Sequence, residues 1–430
     1  MILLIYKIQI ITMFKRILIE FRNLFTLKGL FTILYGLPVA LILRIINKIL
    51  LVRIMGINSE RIGELIINPA IYLYQKENKI NNPGQFSLDI FFMKEKPINS
   101  QIIKMLRGKL IILPKFIIQP IFEAQIKLSY IFMNREKYLP FKERQYKFHY
   151  VSDLPSSKNN ICFTDDELNK GKKEIFEKFG VKDNNYVCFL VRDQKFLKTI
   201  YPKSNFDMHE YRNVEISKFS EAAKVLSEKG YHVFRMGKFQ DKNFNFSDPK
   251  IIDYANSEYR SDFLDIYLSA NCKFFLTTMS GLDNLLPIFN IPTIVIPLNL
   301  AIARQYKNYL ISTKTFLDKN ENKVSLKKLF EKNLVFRQKK EDFDSENIRP
   351  IDPPPDQIRN LVLEMHNHII NKKSYSEDEN ELNKEFWDIY SFYYNRDKNA
   401  KKEIFYNGNL KVLSRFDINY LKKNQKWFLN

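Results

Sequence analysis

The sequence predicts an α/β protein built around a parallel, doubly wound sheet. Three observations predict it. Between residues 186 and 297, short apolar runs rich in Val, Ile, Phe and Tyr alternate with segments of helical periodicity, the pattern of βαβ units, which makes neighbouring strands parallel. Glycines stand where helices should stop, at Gly180 and Gly230, in the position whose left-handed backbone favours a residue without a β-carbon. Finally, 430 residues amount to about 2.9 domains of 150 residues, so two large units are expected. Cores of that size need no disulfide or metal staple.

The amino-terminal segment, 1–48, reads differently from the rest. Across residues 1–53 eight cations (Lys7, Lys15, Arg16, Arg22, Lys28, Arg44, Lys48 and Arg53) face one acid, Glu20, with large apolar residues between them. The longest uncharged stretch, Gly29 to Leu43, has 15 residues and contains Pro38, whereas a spanning helix needs about 20. No small-residue cleavage site follows a simple apolar core, as a signal peptide would require. The expectation is a basic, apolar helix lying in a membrane interface, with Lys and Arg toward anionic headgroups. The alternative is a helix packed on the protein's own core.

From Ile49 the pattern becomes that of a first α/β unit, over 49–151. Ile49–Ile54 is a strand-like run, followed by the turn residues Gly56-Ile57-Asn58-Ser59 and by Arg61-Ile62-Gly63-Glu64. Leu65–Tyr74 reads as a strand or a helix start, Leu88–Phe92 as a strand and Ile102–Leu106 as a helix face. Polar and turn residues cluster from Ser152 to Asn160, which places a linker and connecting helix at 152–180. That helix begins near Asp165 and ends at Gly180.

The second unit, 181–365, opens with the strand Tyr186–Val191, ending in Arg192-Asp193. Ile216, Phe219, Ala222, Ala223 and Leu226 recur at helical spacing before Gly230. Then come a strand Tyr231–Arg235 ending in Met236-Gly237, a strand Ile251–Tyr254, a helix Asp262–Ala270 and a strand Lys273–Thr277. Ser280-Gly281 is read as opening a helix, and Thr293–Ile296 as the next strand. Beyond 300 the pattern weakens: Pro353-Pro354-Pro355 breaks the chain, a helix runs from Asp356 to Ile370, and 366–430 is a helical tail, aromatic and basic from Trp387 onward.

Composition excludes several chemistries. None of the 12 glycines forms G-x-G or G-x-x-x-x-G, which removes the strict dinucleotide fingerprint and the Walker A loop. Ser280-Gly281 lacks the earlier glycine of a nucleophile elbow. Cys162, Cys188 and Cys272 are odd in number and far apart, and no H-E-x-x-H exists among the five histidines. Zinc sites and disulfide frameworks are thereby poor readings, and a reducing compartment is the better one. Asp342-Phe343-Asp344 formally matches a metal-binding D-x-D but has no strand before it. His366 and His368 point to different faces of their helix. No metal is expected. Lys and Arg total 68 against 48 acids, a net charge of +20, which attracts nucleic acid, anionic lipid or phosphorylated ligands. The cations are spread along the whole chain, which counts against nucleic acid as the partner.

In open α/β sheets ligands bind beyond the carboxyl ends of the strands. The residues there are Arg192-Asp193, Arg235-Met236-Gly237 and Thr278-Met279-Ser280-Gly281. Two arginines and a Ser-Gly helix start suit an anion: arginine offers a planar fork of donors, and a helix start offers unpaired N–H groups that Gly281 would let a phosphate approach. His209-Glu210-Tyr211-Arg212-Asn213 precedes the first helix of this sheet, where a general base or a ribose and phosphate contact would lie. Ser257, Arg260, Ser261 and Asp262 form a similar polar set before the next helix, with an N-cap as the alternative role of Ser261 or Asp262.

These residues carry a resemblance. His209–Asn213 with Ile216, Arg235-Met236-Gly237, Asp253-Tyr254-Ala255-Asn256-Ser257 leading into Arg260-Ser261-Asp262-Phe263, and Ser280-Gly281-Leu282-Asp283 resemble, in order and spacing, a family of glycosyltransferases encoded in bacterial surface-polysaccharide clusters. The match runs over residues 50 to 300, and the ending from Ser414 to Phe428, with Trp427, is similar as well. The resemblance implies a GT-B-like arrangement of two Rossmann-like domains, the second holding a nucleotide-sugar donor and the tail 366–430 returning to the first. It implies a cytoplasmic enzyme, peripheral to the inner membrane, that passes a sugar to a lipid-linked or surface-polysaccharide acceptor without a cofactor. Arg192, Asp193, Tyr211, Arg212, Asn213, Arg235, Gly237, Ser257, Arg260, Ser261, Asp262, Ser280 and Gly281 are the donor-side candidates. On the acceptor side Arg61-Ile62-Gly63 matches the family's R-I-G, but the histidine that usually follows is Glu64 here. Glu64 then becomes the candidate base, with Asp89 and His209 as alternatives. A nucleic-acid-binding protein and a non-catalytic scaffold of a polysaccharide assembly complex are the competing readings.

Overall fold

The computed structural model describes residues 26–141, 153–158, 160–192, 195–200, 202, 213–238, 242–297, 300, 308–337, 339–396 and 414–429. They form two compact units, one from residues of 1–98 and 103–143, the other from 99–102 and 144–430.

In the first unit, strands β1 (Leu51–Ile57), β2 (Ser87–Met93) and β3 (Ile111–Ile112) form a parallel sheet in chain order. Every residue of β1 is buried, as expected of a parallel strand covered on both faces. Its one charge, Arg53, finds Asp89 directly opposite on β2. The ambiguous Leu65–Tyr74 lies inside one helix, Ile62–Glu77. A further helix, Lys115–Ile131, follows β3.

A continuous helix over Gly29–Lys48 is 20 residues long with mean hydropathy 2.0, enough by length and composition to cross a membrane. It outruns the uncharged stretch because helical winding continues through Arg44 and Lys48. Its described residues belong to the first unit. Ala40 shares a core with Val52, Ile54, Phe92, Ile118, Ile121 and Ala124, and a β-carbon on Gly36 would collide with the Pro120 carbonyl. One face of the helix thus packs on the unit's own core, as in the alternative reading, while Leu34, Ile42 and Ile45 on the other face are exposed.

The second unit contains strands β4 (Tyr186–Leu190), β5 (His232–Arg235), β6 (Ile251–Ile252), β7 (Phe275–Thr277), β8 (Thr293–Val295) and β9 (Tyr309–Ile311). An antiparallel pair, β10 (Thr315–Leu317) and β11 (Arg349–Ile351), stands apart, and β12 (Arg415–Phe416) comes last. The main sheet has the order β12-β9-β8-β7-β4-β5-β6 and is parallel throughout. From β4 the chain builds outward through β5 and β6. It then returns to β4's other side and builds outward again through β7, β8 and β9. This is the doubly wound topology predicted.

Two expected boundaries change. The helix Asp165–Phe179, with a Thr164–Glu167 capping box and Gly180 at φ 70°, is a layer of the second unit and not a connector: Gly171 is pressed so closely on the Tyr267 ring that a β-carbon would overlap it. The described part of the tail is counted with the second unit. Strand β12 pairs with β9, and Phe386, Trp387, Tyr390, Phe416, Trp427 and Phe428 share one core with Val295, Tyr309 and Ile311. Phe386, Tyr390 and Tyr394 recur every four residues on the helix Glu377–Arg396, so one apolar stripe faces that core.

Candidate functional site

The strand order reverses between β4 and β7, and the crevice beyond the carboxyl ends at such a switch point is where open α/β sheets bind ligands. The two ends are stitched together. The Thr278 amide donates to the Leu190 carbonyl at 3.2 Å, and the Arg192 amide donates to Thr278 Oγ1 at 2.8 Å. Arg192 is half-buried and Thr278 fully buried.

The following turn is strapped by side chains. Thr277 Oγ1 donates to the Asp283 carboxylate at 2.9 and 3.0 Å and accepts from the Met279 amide at 3.1 Å. The Ser280 amide donates to Asp283 Oδ2 at 2.9 Å, and Ser280 Oγ accepts from the Leu282 amide at 3.2 Å. Met279 sits at φ +67°, an uncommon conformation for a residue with a side chain, which persists only where its surroundings over-determine it. Gly281 opens a five-residue 3₁₀ turn, Gly281–Leu285, and not the expected helix. The amides of Met279, Ser280 and Leu282 are consumed internally and a carboxylate lies against them. Of the Ser280-Gly281 cradle expected from sequence, the Ser280 amide is thus already bonded within the turn.

At the end of β5, Arg235 is 1% exposed. Its Nη1 donates to both Asp253 oxygens at 3.2 and 3.3 Å and to the Lys242 carbonyl. Asp253 also accepts from the Phe244 amide and Asn256 Nδ2, each at 2.9 Å. Arg235 thus fastens the 242–256 loop and does not face an open crevice.

Gly237, at φ +144°, meets a different arginine. Arg260 Nε donates to the Gly237 carbonyl at 3.2 Å and Nη2 to Asp265 Oδ2 at 2.7 Å. The Tyr254 hydroxyl donates to Asp265 Oδ1 at 3.0 Å and accepts from the Ser261 amide at 3.1 Å. Burial pushes the Asp265 carboxyl up to about 6, against the pull of Arg260. The Arg260 side chain is 20% exposed, so it is fixed on one side and open on the other. Ser257 Oγ accepts from the Tyr259 amide at 3.0 Å. Ser261 caps the helix Asp262–Asn271 by accepting from the Leu264 amide at 3.1 Å. Asp262 accepts from the Ser100 amide and hydroxyl, each at 2.8 Å. Ser261 therefore has the capping role the sequence left open, and Asp262 is held by Ser100.

In the first unit Glu64 lies in the first turn of the helix Ile62–Glu77, just past the carboxyl end of β1. It is half-buried and accepts a hydrogen bond from Asn58 Nδ2. Arg61 is exposed at the N-cap and Gly63 is buried. Asp89, the alternative base on this side, is engaged by neighbouring side chains. It lies inside β2, held by Arg53 Nε and Nη2 at 2.6 and 2.7 Å and by the Tyr72 hydroxyl at 2.6 Å. Both of its oxygens accept hydrogen bonds. Asp193, His209, Tyr211 and Arg212 lie outside the described residues, while Asn213 is described and half-buried.

Sequence reasoning missed Thr277, Asp283 and Asp265 as site-forming residues. The signal for Asp283 was present: a serine followed three residues later by an acid is a capping box. Among the described residues no group of three or more His, Cys, Asp or Glu comes together to hold a metal. His366 Nδ1 pairs with the Tyr231 hydroxyl at 3.0 Å and His368 Nδ1 with the Lys373 carbonyl at 2.8 Å. Asp344 lies 3.8 Å from Lys340.

No family model matches the chain, and no curated protein sequence matches it. Among solved structures it is similar to a glycosyl transferase of family 9 from Veillonella parvula, with TM-score 0.38 and 10% identity over 73% of this chain and 97% of that one. It is also similar to the ADP-heptose lps heptosyltransferase II of E. coli, with TM-score 0.32 and 12% identity over 56% and 84%. Scores this low say nothing of donor, acceptor or mechanism.

Proposed function

We propose that the protein is a glycosyltransferase that moves a sugar from a nucleotide-sugar donor to a lipid-linked or surface-polysaccharide acceptor. On this reading it works on the cytoplasmic side of the inner membrane, as a GT-B-like enzyme without a cofactor. One observation carries the reading: a seven-stranded parallel sheet reverses its order between β4 and β7, with Arg192 at one strand end and the Arg260–Gly237 pair at the neighbouring one. The motif resemblance at 209–213, 235–237, 253–263 and 280–283 supports it independently.

The chemistry asks for two things. A leaving nucleotide phosphate must be stabilised as charge develops, and an attacking hydroxyl must lose its proton to a base. The partly exposed Arg260 is oriented by two contacts and can present its remaining edge to phosphate oxygens. Gly237 lets a ligand approach the backbone without a side chain in the way. Glu64 is the acceptor-side carboxylate at a strand's carboxyl end, and a carboxylate can serve as the base where relatives carry histidine.

The test is thermal stability of the purified protein against CMP, UDP, GDP, CDP and ADP, for the wild type and Arg260→Ala. A ligand at a hundred times its Kd stabilises the folded state by about 2.7 kcal/mol. The expected result is one nucleotide that stabilises the wild type and leaves the variant unmoved. No shift with any nucleotide, together with salt-sensitive retention of DNA or RNA, would sink the donor site and favour the nucleic-acid reading.

A further inference from the structure

We infer that the first unit docks on an anionic lipid surface through a built apolar tip, made by the carboxyl ends of two helices, Gly29–Lys48 and Lys115–Ile131, and the turn after the second. The inference rests on the proposed action at a membrane-held acceptor, and it adds a second helix and a turn that the sequence did not mark for membranes.

The two helices are parallel neighbours. Gly36 lies against Pro120. Further along, Arg44 Nη2 donates to the Gln125 carbonyl at 3.1 Å and to Ser129 Oγ at 2.7 Å, and Nη1 donates to Asn134 Oδ1 at 3.3 Å. The partners advance together along both chains, so the two carboxyl ends arrive at one place. Arg44 also lies over the rings of Tyr138 at 4.3 Å and Phe132 at 5.4 Å. Lys137 Nζ reaches Asn47 Oδ1 at 3.0 Å.

Around this junction Ile45, Ile49, Tyr130, Ile131, Phe132 and Met133 are exposed, Ile49 by 81% and Met133 by 95%. Lone exposed apolar residues are ordinary, but a cluster of large ones marks an interaction surface. The rim is basic: Lys48, Arg135 and Lys137 are exposed, with Glu136 the lone acid from 124 to 141. Arg135 lies 5.7 Å from the Tyr130 ring centre, an aromatic–cation pairing that suits the headgroup level, where a side chain has one apolar and one wet end.

The charge selects the occupant. A symmetric dimer would bring this patch against itself and set cations against cations, whereas an anionic bilayer offers hydrocarbon to the crest and phosphate to the rim. The packing selects the depth. Helix Gly29–Lys48 could span by length alone, but its inner face is occupied by a helix that also carries Gln119, Glu123, Gln125 and Lys127. Carrying those groups into hydrocarbon is costly, so the pair lies in the interface.

The experiment is flotation of the full-length protein with vesicles of phosphatidylcholine alone, or of phosphatidylcholine mixed with phosphatidylglycerol. The wild type should bind the anionic vesicles far better. The surface variant Ile131→Asp/Phe132→Asp should lower that binding about tenfold or more, with unchanged melting and unchanged nucleotide stabilisation. The variant Lys48→Glu/Arg135→Glu/Lys137→Glu should erase the preference for anionic vesicles. Wild-type binding by Ile131→Asp/Phe132→Asp would overturn the tip. So would a wild-type dimer, seen by light scattering, that this variant converts to monomer, because a second copy would then be the occupant. Nucleotide stabilisation without vesicle binding defeats the docking alone. Vesicle binding without nucleotide stabilisation defeats the enzyme reading alone.

Discussion

Each unit holds an arginine, an aspartate and a tyrosine bonded to one another, and the two sets have opposite roles. In the first, Arg53 spends all three guanidinium nitrogens: Nε and Nη2 on Asp89, and Nη1 on the Asn81 carbonyl at 3.2 Å. Tyr72 closes the remaining side. In the second, Arg260 gives Nη2 to Asp265 and Nε to the Gly237 carbonyl, and Nη1 has no partner among the described residues. The first set is sealed inside the sheet and the second stands at its edge, half anchored. Three identical residue types make a girder in one place and a candidate binding group in the other, and what separates them is how much of the guanidinium the fold consumes.

The sharpest way to break that comparison is to remove Arg53. Leaving a buried carboxylate without its cation typically costs 3–5 kcal/mol, so Arg53→Ala should lower the denaturation midpoint by about that equivalent or prevent folding. Asp89→Asn should destabilise as well. Loss of sugar transfer by Asp89→Asn at unchanged stability would instead return Asp89 to the role of base. Arg260→Ala should cost less, about 1–3 kcal/mol for its charged hydrogen bonds, while abolishing nucleotide stabilisation. Arg260→Lys keeps the charge but not the fork and should recover only part of it.

The third effect is a pH dependence. Asp265 has a carboxyl raised from its ordinary value near 3.8 to about 6 by burial, so the folded state binds its proton more tightly than the unfolded one. Its contribution to stability is full below about pH 4 and is lost as pH rises through about 6, at no more than about 1.4 kcal/mol per pH unit. Denaturation curves across that window should show the decline, and Asp265→Asn should flatten it. The smallest effect is that of Ser261→Ala, which removes a helix cap worth about 1 kcal/mol and should leave nucleotide stabilisation intact. A lost nucleotide response would move Ser261 from scaffold to site.

Much of the second unit could be read from the chain. Strands β4 to β8 lie where apolar runs bounded by glycine or turn residues put them, because a strand covered on both faces must be apolar almost throughout. Glycines at 180 and 230 ended the helices expected of them. The misreadings share a cause, which is dependence on distant partners. Arg192 and Arg235 look alike at strand ends, yet Arg235 is buried because Asp253 lies 18 residues on. Asp89 resembles a free carboxylate until Arg53, 36 residues earlier, is brought opposite it. Strands β9 and β12, of three and two residues, are too short for any periodicity. They are held by pairing along the sheet and by the core that the tail's aromatic stripe covers.

Strand β12 also governs how the molecule is made. It shields one flank of β9, whose unpaired amides and carbonyls would otherwise be a template for another chain. Roughly 100 residues separate the two, and at a synthesis rate of about 5–20 residues per second the nascent sheet waits some seconds on the ribosome with that flank bare. A chain cut before residue 414 would lack that cover and is expected to aggregate more readily through the β9 flank.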